Sequence, residues 1–242
     1  MLAKPWVHIY EPALNSAPWL TQEAVSAAAQ LFARPIAYHP LTGLYNIDQQ
    51  VHSRVPSVAI VGESNVGKST LLNQLLYDIQ PTSKFKLSSQ QIPYSPVSDT
   101  PGRTRHVFRF DLSDRLRICD LPGYGHAIAP REVMKSWNSL IDRFLDVADL
   151  RRVIVLIDAK RGIKDLDQVV LNMLQDRGQV AQIVLTKIDR VSREHLHHVL
   201  AHTIDQLQRI DRRSVFPYVH AVSALHKMGM LELKCCLASI AT

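Results

Sequence analysis

The sequence predicts an α/β fold: one mixed sheet of six strands, with helices on both faces and ligand loops at the strand ends. Three observations carry this. From residue 55 onward, apolar runs of strand length alternate with amphipathic stretches of helix length. The first run, "SVAIV" at 57–61, passes directly into a glycine-rich turn and then a helix. Two neighbouring runs, "VFRFDL" (107–112) and "RLRICDL" (115–121), meet across Ser113-Asp114 and read as a hairpin.

Residues 1–54 form an extension with few charges and five prolines, Pro5, Pro12, Pro18, Pro35 and Pro40. It holds one expected helix at about 21–34. Thr21 caps it, Glu23 suits its first turn and Pro35 stops it. Ala24, Val25, Ala28, Leu31 and Phe32 give that helix an apolar face with which to dock on the domain at 55–242.

Within that domain, helix 67–77 follows the first strand, and the hairpin follows a long Ser- and Pro-rich loop without periodicity (78–99). Further strands are expected at 152–158, 180–187 and 218–223. Helices are expected near 131–147, 165–177, 192–212 and 226–240, with Gly178 ending the second of these. No apolar run reaches membrane-spanning length. The three cysteines, Cys119, Cys235 and Cys236, have no metal-type spacing, and a reducing compartment is the simpler reading. The net charge is +6, from 28 Lys+Arg against 22 Asp+Glu, which favours polyanions such as RNA.

"GESNVGKST" at 62–70 fits G-x-x-x-x-G-K-[ST] between a strand and a helix. Backbone N–H groups of Gly62, Glu63, Ser64, Asn65, Val66, Gly67 and the helix start wrap phosphates. Lys68 reaches the β- and γ-phosphates, and the Ser69 hydroxyl, beside Thr70, is offered to Mg²⁺. This motif alone leaves ATP and GTP open. "TKID" at 186–189 points to guanine. The Asp189 carboxylate can accept from guanine N1–H and the 2-amino group, and adenine has neither donor. The Lys187 stem can cover the base, Thr186 can tie this loop to the phosphate loop, and Ile188 lies between them. Backbone N–H groups of Val222, Ser223 and Ala224 can donate to guanine O6.

In order and spacing, "GESNVGKST", "TPGRT", "DLPGYGHA", "TKID" and "VSA" resemble the EngB (YihA/YsxC-type) ribosome-assembly GTPases, over most of 56–242. The resemblance implies a Ras-like P-loop GTPase domain that binds GTP or GDP with Mg²⁺. It implies late assembly of the large ribosomal subunit, with rRNA and assembly intermediates as partners. A monomer without membrane contact is expected, and the lack of a Gln after Gly123 predicts slow intrinsic hydrolysis, accelerated by the ribosome or by K⁺. Carried over by motif, Gly102, Arg103, Thr104, Arg105 and His106 belong to switch I, with Thr104 joining Ser69 on the metal. Asp120, Leu121, Pro122 and Gly123 sense the γ-phosphate. Lys68, Thr104, Gly123 and Asn65 carry catalysis. Alternatives are a division- or septum-linked GTPase acting through protein partners, and a scaffold that holds GTP with little turnover. "AAAQLFARP" (27–35) is similar to organellar members, which favours mitochondria over the cytoplasm, although Glu11, Glu23 and little Arg are unlike a transit peptide.

Three departures from the family stand out: Glu63 where Arg is usual, Asp99 where a basic residue is common, and a long switch I loop at about 78–106. Gly123 is followed by Tyr124, not by the Gln that orients water in Ras-type enzymes. Two readings stand. Either Tyr124 packs and Asn65 orders its loop, or Asn65 holds a K⁺ that replaces an arginine finger, as in related GTPases with Asn at this place. His195, His197, His198 and His202 share one helix and read as a solvated or RNA-facing surface, not a zinc site. Trp137 reads as a packing residue.

Overall fold

The computed structural model describes residues 4–33, 37–41, 55–78, 107–124, 144–145 and 149–241. The switch I residues 102–106, most of the loop at 78–106, Trp137 and most of the helix expected near 131–147 lie outside the described residues.

All six expected strands are present in one sheet: β3 (Ser57–Gly62), β4 (Val107–Leu112), β5 (Leu116–Asp120), β6 (Leu150–Asp158), β7 (Ala181–Thr186) and β8 (Tyr218–Ala221). The extension adds two more, β1 (Trp6–His8) and β2 (Ala37–Leu41), so the order is β1-β8-β7-β6-β3-β5-β4-β2. The central strands β8, β7, β6, β3 and β5 run parallel. β4, β2 and β1 pair antiparallel. Both added strands are edges. β2 contains Pro40, which lacks an N–H and is tolerated only where one side of the strand needs no partner. Short length hides β1, and proline disguises β2.

Successive residues of β3 face opposite layers, as the two-residue period requires. Val58 and Ile60 join one buried cluster with Leu31, Leu71, Leu75 and Leu233. These come from α1 (Gln22–Ala33), α2 (Lys68–Tyr77) and α5 (Met230–Ala238). Ala59 and Val61 join the other cluster, with Val170, Leu174, Leu196 and Leu200 of α3 (Asp165–Asp176) and α4 (Arg193–Leu207). Local signals set the helix ends. Thr21 Oγ1 accepts from the Ala24 N–H at 3.2 Å, Ser192 Oγ caps α4 through the His195 N–H at 3.1 Å, and Gly178 follows α3 with φ 64°. Ser113 and Asp114 both take left-handed φ in the hairpin turn.

The extension docks through aromatic rings. Trp6 meets Trp19 and Tyr218 edge-on at 5.9 and 5.7 Å, and Trp19 lies over His220 at 5.0 Å. His220 is fully buried. Its Nδ1 is 3.1 Å from Gln182 Nε2, and Gln182 Oε1 accepts from Arg152 at 2.9 Å. Burial, and then the Arg152 charge, push the His220 imidazole down to about 3. Its ordinary value is about 6.5, so below that pH the unfolded chain takes up a proton that the folded chain refuses. This site's stability is complete above about pH 6.5 and is lost as pH falls, by about 1.4 kcal/mol per pH unit. Between about pH 6.5 and 4, unfolding free energy from urea titration should therefore fall more steeply in the parent than in His220→Gln, by about one proton. Equal slopes would show that His220 titrates freely in the fold.

Candidate nucleotide-binding site

The strands that flank β3, β5 on one side and β6 on the other, lead the chain in opposite directions, and a ligand crevice forms at such a point. Gly62 ends β3 there. A Cβ on it would lie 2.8 Å from Val66 Cγ1 and 3.0 Å from Leu156 Cβ, so the turn closes only around glycine. Asn65 (φ 63°) and Gly67 (φ 102°) both bend the loop through left-handed conformations. Lys68, Ser69 and Thr70 open α2, where first-turn N–H groups have no acceptor within the helix. Two loop N–H groups are already committed within the protein: Ser64 to the Tyr124 carbonyl at 3.0 Å, and Val66 to the Glu63 carbonyl at 3.1 Å. The Lys68 ammonium pairs with Asp120, which is 3% exposed at the end of β5.

Beyond Asp120 the chain continues flush along the phosphate loop. The Leu121 N–H donates to the Ile60 carbonyl at 3.0 Å, and the Tyr124 N–H to the Gly62 carbonyl at 3.2 Å. A Cβ on Gly123 would stand 3.1 Å from the Gly62 oxygen, so a larger residue would wedge the two segments apart. Tyr124 itself turns inward. It is 3% exposed, and its hydroxyl donates to Asp167 Oδ1 at 2.6 Å. Asp167 Oδ2 accepts from the Lys164 N–H at 2.8 Å, at the start of α3. Burial raises the Asp167 carboxyl above its usual range, against the lowering effect of the Tyr124 hydrogen bond. Tyr124 is thus a buried tether, which agrees with the packing reading. The unusual Glu63 pairs with Arg161 at 2.6 Å, so an acidic group here is balanced locally. Because Arg161 is about half exposed, the pair adds little stability.

The base loops converge as expected. Thr186 Oγ1, buried at the end of β7, donates to the Val66 carbonyl at 2.6 Å and joins the "TKID" loop to the phosphate loop. Lys187 has left-handed φ (57°). Its ammonium donates to Asp158 Oδ2 at 2.8 Å and to the Asn65 carbonyl, which stretches the stem beside Gly67. The Ile188 N–H reaches the Val222 carbonyl at 3.3 Å, and Asp189 is half-buried in the short 3₁₀ turn Ile188–Arg190. Gly67, Thr70, Lys187, Asp189, Val222 and Ala224 line an open cleft of about 300 Å³. One expectation narrows. Val222 donates to the Leu185 carbonyl at 2.8 Å and Ser223 to the Met228 carbonyl at 3.0 Å. Among the described residues, only the Ala224 N–H of that trio is left for guanine O6.

Asp158, Arg161 and Asp167 escape a reading of the sequence because each acts on another side chain of the site. The strand-end aspartate of "VLIDAK" is their one readable signal. The histidines of α4 stand on its exposed face, and no cluster of three or more metal-type side chains occurs among the described residues.

Tyr124→Phe should leave one buried Asp167 oxygen without this donor and cost about 1–3 kcal/mol in urea unfolding. Single-turnover GTP hydrolysis should change by less than about tenfold. A collapse of hydrolysis at unchanged stability would mean that the hydroxyl serves the chemistry. Asp189→Asn should weaken GTP binding by more than about a hundredfold and favour xanthosine nucleotides, whose C2 carbonyl suits an amide donor. Parental GTP affinity in that variant would remove 186–189 as the base reader.

The sequence profile of the 50S ribosome-binding GTPase family matches residues 57–187. A probable GTP-binding protein EngB of Caulobacter vibrioides is 36% identical over 222 residues, 91% of this chain and 90% of its own length. One from Bradyrhizobium diazoefficiens is 41% identical over 187 residues, 76% and 79% of the two chains. The crystal structure of a probable GTP-binding protein EngB shares the fold, with a TM-score of 0.52 and 19% identity, over 76% of this chain and 98% of that one. Era, solved with MgGDPNP and nucleotides 1506–1542 of 16S ribosomal RNA, gives a TM-score of 0.50 at 23% identity, over 78% and 57% of the two chains. Fold, loop geometry and sequence agree, and the chain belongs to the EngB family of GTP-binding proteins, a family of Ras-like P-loop GTPases.

Proposed function

We propose that this GTPase assists late assembly of the large ribosomal subunit, binding rRNA more tightly with GTP than with GDP. The carrying observation is the flush contact of Gly123 on the phosphate loop, 3.1 Å from a notional Cβ to the Gly62 oxygen. A γ-phosphate between Lys68 and the Gly123 N–H bears directly on the segment that leads into the following loop, and such segments order around that phosphate. The 50S-binding character of the matching family supports the ribosome as destination, and the +6 charge suits an RNA surface. Like the RNA of the Era structure, rRNA is the partner this reading assigns.

The Ser69 hydroxyl, and the Asp120 carboxylate that now pairs with Lys68, are oxygen donors of the kind Mg²⁺ takes, with Thr104 as the third residue offered. When bound, Mg²⁺ neutralises phosphate charge. Lys68 supplies a second positive charge to the β- and γ-phosphates, and the first-turn N–H groups of α2 hold the phosphates in line. With Tyr124 tethered inward, no side chain at that position orients water, and slow intrinsic turnover follows. Asn65, whose carbonyl already binds Lys187, keeps its side chain as the candidate for K⁺. The protein is assigned as a monomer. The relatives described above are bacterial and lend the mitochondrial expectation no support.

Co-sedimentation with large ribosomal subunits tests this function. Binding should be stronger with a non-hydrolysable GTP analogue than with GDP and should fall steeply with salt. Nucleotide-blind association would favour a scaffold with little turnover. No association at any salt would overturn the ribosomal reading and favour protein partners such as those of a division-linked GTPase.

A further inference from the structure

A second cleft, of about 410 Å³, backs onto the base loop and shares Asp189 with the guanine cleft as a common wall. Its floor is apolar: Ile188 and Leu196 are buried, and Val191 and Met228 are half-buried. Arg193 and His226 line it and are exposed. Neither side chain has a hydrogen-bond or ion-pair partner among the described residues. Some other exposed cations are paired inside the protein. Arg209 pairs with Asp205, Arg213 with Asp211, and Lys227 with Asp78. Arg193, on the rim of this cleft, leaves its charge open to a ligand.

The rim has a particular shape. A guanidinium and an imidazole are both flat, and both serve as stacking faces for unpaired bases. An apolar floor below them shields one edge of such a base from water. The unneutralised Arg193 on the rim suits a flanking phosphate. A free phosphate or an acidic side chain would use the charge and leave the floor wet.

Resting on the rRNA reading above, we infer that this cleft takes one unpaired, splayed-out nucleotide of an RNA strand. The base lies on the Ile188, Val191, Leu196 and Met228 floor against Arg193 and His226, and a flanking phosphate lies at Arg193. Asp189 then separates two bases: the guanine of the bound nucleotide and one from the RNA.

Anisotropy of a fluorescein-labelled, unstructured short oligoribonucleotide with the GDP-loaded full chain tests this. Arg193→Ala/His226→Ala should weaken binding by at least about tenfold. Its affinity for mant-GDP should stay within about threefold of the parent, since neither residue lines the guanine cleft. Arg193→Lys keeps the charge but loses the flat face, and should still lose severalfold. Single-stranded RNA should bind better than a duplex of equal length. Parental affinity in both variants, or equal binding of duplex and single strand, would overturn the cleft in favour of a diffuse positive surface. Normal oligonucleotide binding by the double variant with lost ribosome co-sedimentation would place a protein there instead, and would also overturn it. The two readings fail separately. If the parent binds the oligonucleotide through these residues yet never sediments with large subunits, the cleft stands and the ribosomal function falls. If the double variant sediments like the parent and binds RNA normally, the reverse holds.

Discussion

One hydrogen bond, from Thr186 Oγ1 to the Val66 carbonyl, joins the two halves of the site across 120 positions of sequence. Phosphate recognition sits at the end of β3 and guanine recognition at the end of β7, with β6 between them. The sheet registers Gly62 against Leu156 and Thr186 against Asp158 and so places the strand ends, but the loops beyond them are tied by side chains. Thr186 is 3% exposed, so the bond is shielded from competing water. Lys187 adds a second span, from Asp158 to the Asn65 carbonyl. A nucleotide that must be held by both ends needs this spacing set before it arrives, and preorganisation of that kind reduces the ordering cost of binding.

The same economy of side chains explains Tyr124. A residue after Gly123 can either approach the reacting phosphate or anchor the backbone that does. Here the ring is buried and its hydroxyl is held by Asp167, whose second oxygen caps α3. Gly123 is therefore positioned from behind, by a residue facing the core. Glu63 belongs to the same layer, balanced by Arg161 rather than aimed at the ligand.

Much of this site is legible in the amino-acid sequence. The phosphate and base loops require particular residue types at fixed spacings, because backbone approach, charge and base-edge donors leave few substitutes. Gly62, Lys68, Asp120, Thr186 and Asp189 are accordingly all legible. The six strands with periodic or continuous apolar runs are legible for the same kind of reason. Side-chain direction beyond the motif is not. Whether Tyr124 points in or out depends on Asp167, 43 positions away, and no local pattern encodes that pairing. Nor does a sequence show which N–H groups of "VSA" the fold has already used. The edge strands are illegible for another reason. An edge bonds on one side only, so it tolerates three residues or a proline that a central strand would reject.

Those two edges come from a single short stretch of chain ahead of the phosphate loop. β1 pairs with β8, the strand furthest from it in sequence, while β2 pairs with β4 on the opposite border of the sheet. The segment synthesised before the rest of the sheet therefore closes both of its margins, one of them against the strand that is synthesised last. Pairing of Trp6 with His220 spans almost the whole sheet in sequence, and loop closure of that length comes late in folding. Until then the open border of β8 is a template on which another nascent chain could add a strand. The extension thus acts as a clasp that leaves, as the outer borders, only a three-residue strand and one carrying proline, both poor templates for another chain.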